Sequence, residues 1–158
     1  MSTIVTFTNL YPSTVMPQHG LFVRERMRRV AAHSGLDWCV VAPVPDVIWP
    51  LRTAVYRRWH AVPQCERDGE VEVLHPRYRH WPGISLRRQA DAMADGARAA
   101  VAAIAARGPI VIDAHYVWPD GVAAAKLAGE RSAAARCRPV DLGQGFPVGG
   151  ARARRAAR

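Results

Sequence analysis

His115 comes just after the run Ile110–Asp113, two residues beyond Asp113 and five before Asp120. An imidazole flanked by carboxylates can accept or donate a proton near neutral pH. If the run is a strand, this cluster lies at its carboxyl end, where α/β folds keep their sites. The competing reading is a histidine satisfied by a backbone carbonyl. His19-Gly20 is the second candidate, at the head of a helical pattern. A glycine there lets a phosphate or sugar approach the backbone, with the amides of Leu21 to Arg24 and the positive end of the helix dipole behind it. Against this stands a glycine that only tolerates a turn. The chain has no GxGxxG and no GxxxxGK[ST], which removes the nicotinamide and P-loop readings, and it has neither GxSxG nor HExxH. Cys39, Cys65 and Cys137 are widely spaced with no CxxC pair. They argue for a reducing compartment and against a thiolate zinc site, and no metal is expected.

These groups need elements to hold them. Thr3 to Arg29 reads as a β-branched strand, a Pro-containing loop and a helix, the first half of a βαβ unit and hence of a parallel α/β sheet. Within that helix Val23, Met27, Val30 and Ala31 form one apolar face, opposite Arg24, Glu25, Arg28 and Arg29, and Gly35 ends it. Strands are expected at 3–7, 38–42, 70–74 and 110–113, the second and last buried, with Asp68-Gly69 as the turn of a small β-hairpin. Pro43 and Pro45 stop the second strand, and 46–58 reads as loop or short helix with exposed Trp49, Tyr56 and Trp59. Tyr78 to Gly83 reads as an aromatic loop. These aromatics could stack on a sugar ring or base, or pack on their own domain. A helix over Arg88–Arg107 presents Ala90, Met93, Ala94, Ala97, Val101 and Ile104 on one face. Asp120 is a candidate N-cap for a further helix from Gly121 to about Ala128.

At 158 residues the chain suits one ordinary domain, and no apolar run approaches the length of a membrane span. The start MSTIVTF lacks a basic n-region and a cleavage site, so it reads as a first strand and not a signal peptide. The formal charge is +9, and from Glu130 onward seven Arg face only Glu130 and Asp141. More than half of the basic balance therefore sits in the last fifth of the chain, and a nucleic-acid reading would rest on that tail. The arginine-rich face of the first helix is a solvated surface or a contact for anionic headgroups.

Taken in order and spacing, TFTNLYPS, MPQHGLFVRERMRRVA, VVAPVP, DGEVEVLHPRY and IDAHYVWPDGVAAAKLA resemble the amino-terminal half of retaining GT-B glycosyltransferases of the family 4 type. The resemblance covers residues 3 to about 128. It implies a Rossmann-like, acceptor-side domain over 1–129, facing a second domain that binds a nucleotide-activated sugar, usually without an essential metal or other cofactor. It implies that Gly20, and less directly His19, approach the acceptor or donor phosphate, and that His115 approaches the reacting sugar; Asp113 and Asp120 are supporting candidates by their position beside His115. Partners on this reading are a nucleotide sugar and a sugar, lipid or small-molecule acceptor. The location would be cytoplasmic, with peripheral membrane contact, and no specific nucleic acid is expected. The family continues with a further strand, an Arg-Gly-Asp loop and a donor domain holding paired glutamates, none of which is present. Residues 130–158 have instead an Arg-, Ala- and Gly-rich, irregular composition, as a high-GC gene gives in the wrong frame. The expectation is a truncated or frameshifted half of a hexosyl transferase, inactive alone. The alternative is a stand-alone α/β binding module whose basic tail grips nucleic acid or an anionic membrane.

Overall fold

The computed structural model describes residues 2–47, 54–81 and 86–136, and the side chains of all of these except 55, 86 and 131–136. Strand β1 (Thr3–Phe7) is at the centre. Its Ile4 and Thr6 face one layer and Val5 and Phe7 the other, and all four are buried, so it is covered on both faces. Strand β2 (Asp37–Val41) pairs parallel to it on one side and β7 (Ile110–Ala114) on the other. Beyond β2, strand β5 (Val71–Leu74) is parallel again, and β4 (Cys65–Asp68) returns antiparallel through a two-residue turn whose Gly69 has φ 64°. The order is β4-β5-β2-β1-β7, a mixed and mostly parallel sheet of the α/β class. The four expected strands are all present, and β4 completes the hairpin.

Two helices cover one face. Helix α3 (Gln89–Ala106) buries Ala90, Met93, Ala94, Ala97, Val101 and Ile104, the face its spacing predicts, and α4 (Val122–Arg136) adds Ala123, Ala124 and Leu127. Helix α1 (Leu21–Ser34) covers the opposite face and ends on Gly35, whose φ is 63° and whose N–H bonds to Ala31 O. Only Val23 and Met27 of its predicted stripe are buried; Val30 is 39% exposed, and no residue of the helix after Met27 is buried.

Several expectations are corrected. Strand β7 is an edge of the sheet and not a buried strand, and Val111 is 56% exposed. Strand β2 ends at Val41, before the prolines as expected, but a further short strand follows: β3 (Val44–Asp46) pairs parallel with β6 (Arg77–Arg79), and Tyr78 and Arg79 of β6 fall where an aromatic loop was expected. A two-stranded ribbon tolerates Pro45 because only one edge of each strand is bonded, through Val44 N to Pro76 O and His80 N to Asp46 O. Within 46–58, helix α2 (Ala54–Ala61) carries Tyr56 and Trp59, both half-buried and not exposed. Helix α4 continues past Ala128 to Arg136, so the irregular segment expected from 130 begins as helix, as its Ala-rich sequence favours. Trp49, Pro82-Gly83 and 137–158, with Cys137 and most of the arginine tail, lie outside the described residues. No described helix is long and apolar enough to cross a membrane.

Candidate functional site

The chain leaving β1 forms a long loop over the carboxyl ends of the strands, and polar ties hold it from both sides. From the hairpin, Glu66 Oε2 accepts from Thr14 N at 3.0 Å and Asp68 Oδ2 from the Tyr11 hydroxyl at 3.0 Å. From the turn after β7, Asp120 Oδ2 accepts from Thr8 Oγ1 at 3.2 Å and Asn9 N at 3.1 Å. Asp120 therefore does not cap its own helix, as the sequence suggested; it is fully buried and braces the β1 loop. Burial pushes its carboxyl up to about 6, against the two hydrogen bonds that favour the ionised form. Its other oxygen, Oδ1, is buried without a partner, which fits a carboxyl that is easily protonated.

Gly20 heads α1 with φ 71°, a conformation that glycine adopts without penalty. A Cβ there would stand 2.2 Å from Leu10 O, so the loop's own backbone occupies the space reserved for a ligand in the sequence reading. The Val23 and Arg24 amides are also spent, both on Gly20 O. Gly20 thus seats the loop on the helix.

His19 is better placed. Its Nε2 lies 3.2 Å from Asn9 O; since a carbonyl only accepts, Nε2 carries the proton and Nδ1 remains an acceptor. Its ring meets Trp59 edge-on, with centroids 4.9 Å apart. Both lie in a crevice of about 220 Å³ at the ends of β1 and β2, with Asn9, Tyr78, His80 and Gln89. Gln89 Nε2 donates to the Tyr78 hydroxyl at 3.2 Å, and Tyr56 Oη lies 3.3 Å from His80 Nε2. Burial lowers the His80 pKa, so this imidazole is neutral at pH 7.

His115 and Asp113 do come together, but elsewhere. His115 is 6% exposed and wedged beside α1, where Arg26 Nη1 lies 3.3 Å from its Nδ1. A guanidinium only donates, so Nδ1 accepts and the proton sits on Nε2, 3.1 Å from Asp113 Oδ2. That last contact is coulombic, because neither atom reaches hydrogen-bonding geometry. Burial lowers the His115 pKa and Arg26 pushes the same way, with Asp113 opposing both. The next residue, Tyr116, takes φ 71°, a strained backbone for a side chain of its size. His115 does not line the crevice.

The structure thus separates the sequence candidates into a crevice holding His19 and an edge cluster holding His115 and Asp113, with Gly20 and Asp120 fixing the loop between elements. Asn9, His80 and Gln89 escaped sequence reasoning. The alternation of Tyr78 and His80 in RYRHW was the available signal, hidden because β3 and β6 were not foreseen. Among the described residues no three His, Cys, Asp or Glu converge as a metal cluster would. Chemically, the crevice can hold a small polar ring between aromatic edges and offer it an imidazole lone pair and amide and hydroxyl groups. No protein-family model, curated protein or solved structure matches this chain.

Proposed function

We propose that this chain is the acceptor-side domain of a GT-B glycosyltransferase, with the crevice at the ends of β1 and β2 as its acceptor site. The observation that carries the reading is the lining of that crevice: the half-buried Trp59, with the buried Tyr78 in its wall, and the hydrogen-bonding groups of His19, Asn9, His80 and Gln89 around them. A sugar asks for both, an apolar ring face to stack on and partners for its hydroxyls. The volume, about 220 Å³, suits one ring and not an extended ligand. His19 Nδ1 is the group suited to accept from an acceptor hydroxyl, its tautomer held by Asn9 O. In the transfer, that hydroxyl oxygen bonds to the anomeric carbon as the bond to the nucleoside diphosphate breaks, and its proton passes to His19 Nδ1. By the resemblance, His115 and Gly20 belong near that centre, with the nucleotide sugar brought by a second domain. In this chain His115 lies beside Arg26 and does not line the crevice.

Acceptor binding is testable on the chain itself. Saturation-transfer NMR against methyl glucoside, galactoside and mannoside should show contact with at least one, lost in Trp59→Ala and His19→Ala proteins whose circular dichroism is unchanged. Contact with none of the three, or contact undiminished in both variants, overturns the assignment. The alternative, a binding module with a basic tail, is favoured by the seven Arg beyond Glu130. It requires DNA or anionic-vesicle binding that falls steeply with salt and vanishes when 137–158 are removed.

A further inference from the structure

A second concavity, of about 920 Å³, opens between β6 and the first half of α3. Tyr78 is the wall between it and the crevice, lining both. Its buried side is apolar, formed by Tyr78 and Ala92, and its exposed side carries Arg79, Arg87, Arg88 and Trp81, the last 47% exposed. The two walls are held close: a Cβ on Gly96 of α3 would stand 2.4 Å from Arg77 O of β6.

The charges here do not cancel. Arg77 is committed to structure, donating to the carbonyls of Trp59, His60 and Val62. The two carboxylates of the groove are already matched, Asp91 by Lys126 and Asp95 by Arg98. Arg79, Arg87 and Arg88 have no ion pair among the described residues. Arg87 and Arg88 also precede the first turn of an 18-residue helix, whose dipole adds positive potential at that end. Unmatched guanidinium groups suit a phosphate, which they can grip through two parallel N–H bonds each.

We propose that this groove binds the phosphate headgroup of an anionic lipid, with Arg79, Arg87 and Arg88 on the phosphate and the glycerol and first acyl carbons along Tyr78 and Ala92. Trp81 at the rim is suited to the boundary between water and hydrocarbon. A free phosphate would leave the apolar wall unused. A single-stranded nucleic acid would call for several stacking rings along a basic track, and among the described residues the groove has one exposed ring. The proposal is independent of the sugar reading, since it uses the other side of Tyr78.

The test is titration of the whole chain, followed by Trp fluorescence and calorimetry, with three probes below micelle concentration: dihexanoyl phosphatidic acid, dihexanoyl phosphatidylcholine and inorganic phosphate. Phosphatidic acid should bind at least about tenfold more tightly than either of the others. The Arg87→Gln/Arg88→Gln protein, altered only at exposed side chains, should lose at least about tenfold in that affinity, while Arg29→Gln on α1 leaves it unchanged. Inorganic phosphate binding as tightly as the lipid overturns the lipid assignment. So does an unchanged affinity in the double variant, or, in a fourth titration, tighter binding of a single-stranded oligonucleotide than of phosphatidic acid.

Discussion

The two faces of the sheet are held by different physics. On the α3 and α4 face a continuous cluster runs from Val5 and Phe7 through Met93, Ala97 and Val101 to Leu127, built almost wholly from apolar side chains. On the α1 face the buried cluster is half that size, with Val23 and Met27 as the helix's buried side chains. What that face lacks in packing it has in polar ties. Trp38 Nε1 donates to the buried Thr6 hydroxyl at 2.9 Å, Tyr11 and Arg28 both donate to Asp68, and Arg26 reaches His115. The loop that shapes the crevice leads into this second layer. A face held by directional bonds fixes where a loop lies, whereas a face held by burial fixes that the domain is folded. The candidate crevice lies where the two meet, lined by Tyr78 and Gln89 from the packed side and by Asn9 and His19 from the tied loop.

The largest effect should come from opening the packed face. Met93 is fully buried, and Met93→Ala should cost about 2–5 kcal/mol of unfolding free energy in urea. Met27, as deeply buried, lies in the smaller cluster, where neighbours can collapse into the space. Met27→Ala should fall at the lower end, about 2 kcal/mol. If Met27→Ala costs as much as Met93→Ala, the two faces are equivalent and the comparison fails.

Asp120 sharpens the comparison at the polar tie itself. Its folded pKa is raised to about 6 by burial, so the folded state binds the proton more tightly than the unfolded chain does. The stability contributed by the protonated form is complete below pH about 4 and is lost as pH rises through about 6. A shift of this size corresponds to a penalty on the order of 3 kcal/mol at pH 7.5. Asp120→Asn keeps an acceptor for Thr8 and Asn9 without the charge. It should match the parent near pH 4 and exceed it by up to about 3 kcal/mol at pH 7.5, read from urea unfolding at both pH values. A variant less stable than its parent at pH 7.5 would show that the carboxylate is favoured there. His115 acts in the opposite sense: its lowered pKa makes stability fall as pH drops below the usual imidazole range. Asp120→Asn should leave that acid-side loss in place.

The same division decides what could be read from the chain. Helix α3 was legible because its buried face recurs at 3.6 residues and nothing but packing selects it; all six predicted residues are buried. Strands β1, β2 and β7 were legible from their apolar runs, and β5 from the alternation of Glu70, Val71, Glu72 and Val73 after the Asp68-Gly69 turn. The α1 stripe was over-read, since periodicity shows which residues share a face but not how far the sheet extends beneath it. The roles of Gly20 and Asp120 could not be read, because each is decided by a partner distant in sequence or by the turn of an intervening loop: Leu10 O for one, Thr8 and Asn9 for the other. The crevice was half visible. His19 and Trp59 stood apart, and β3 and β6, which bring Tyr78 and His80 to them, are only three residues each, with Pro45 inside β3, so the Tyr78 and His80 alternation did not read as a strand.

The smallest effect tests whether the polar ties of the α1 face set position more than stability. Arg28 Nη2 donates to Asp68 Oδ1 at 2.8 Å, and the two side chains are 43% and 22% exposed. A pair this wet is worth less than about 1 kcal/mol, and salt should screen it. In Arg28→Ala, Asp68 keeps the Tyr11 hydroxyl on its other oxygen, and Arg24 Nε remains 3.9 Å away to supply part of the charge. The expected result is a loss below about 1 kcal/mol at low ionic strength that disappears in 1 M NaCl, on the order of a 3 Å screening length. Amide exchange should nevertheless quicken for Thr14, whose N–H is held by Glu66 on the same hairpin, because one of the hairpin's anchors to α1 is gone. A loss above about 2 kcal/mol that persists in high salt would mean that Arg28 acts through its buried stem, and that the α1 face is held by packing after all.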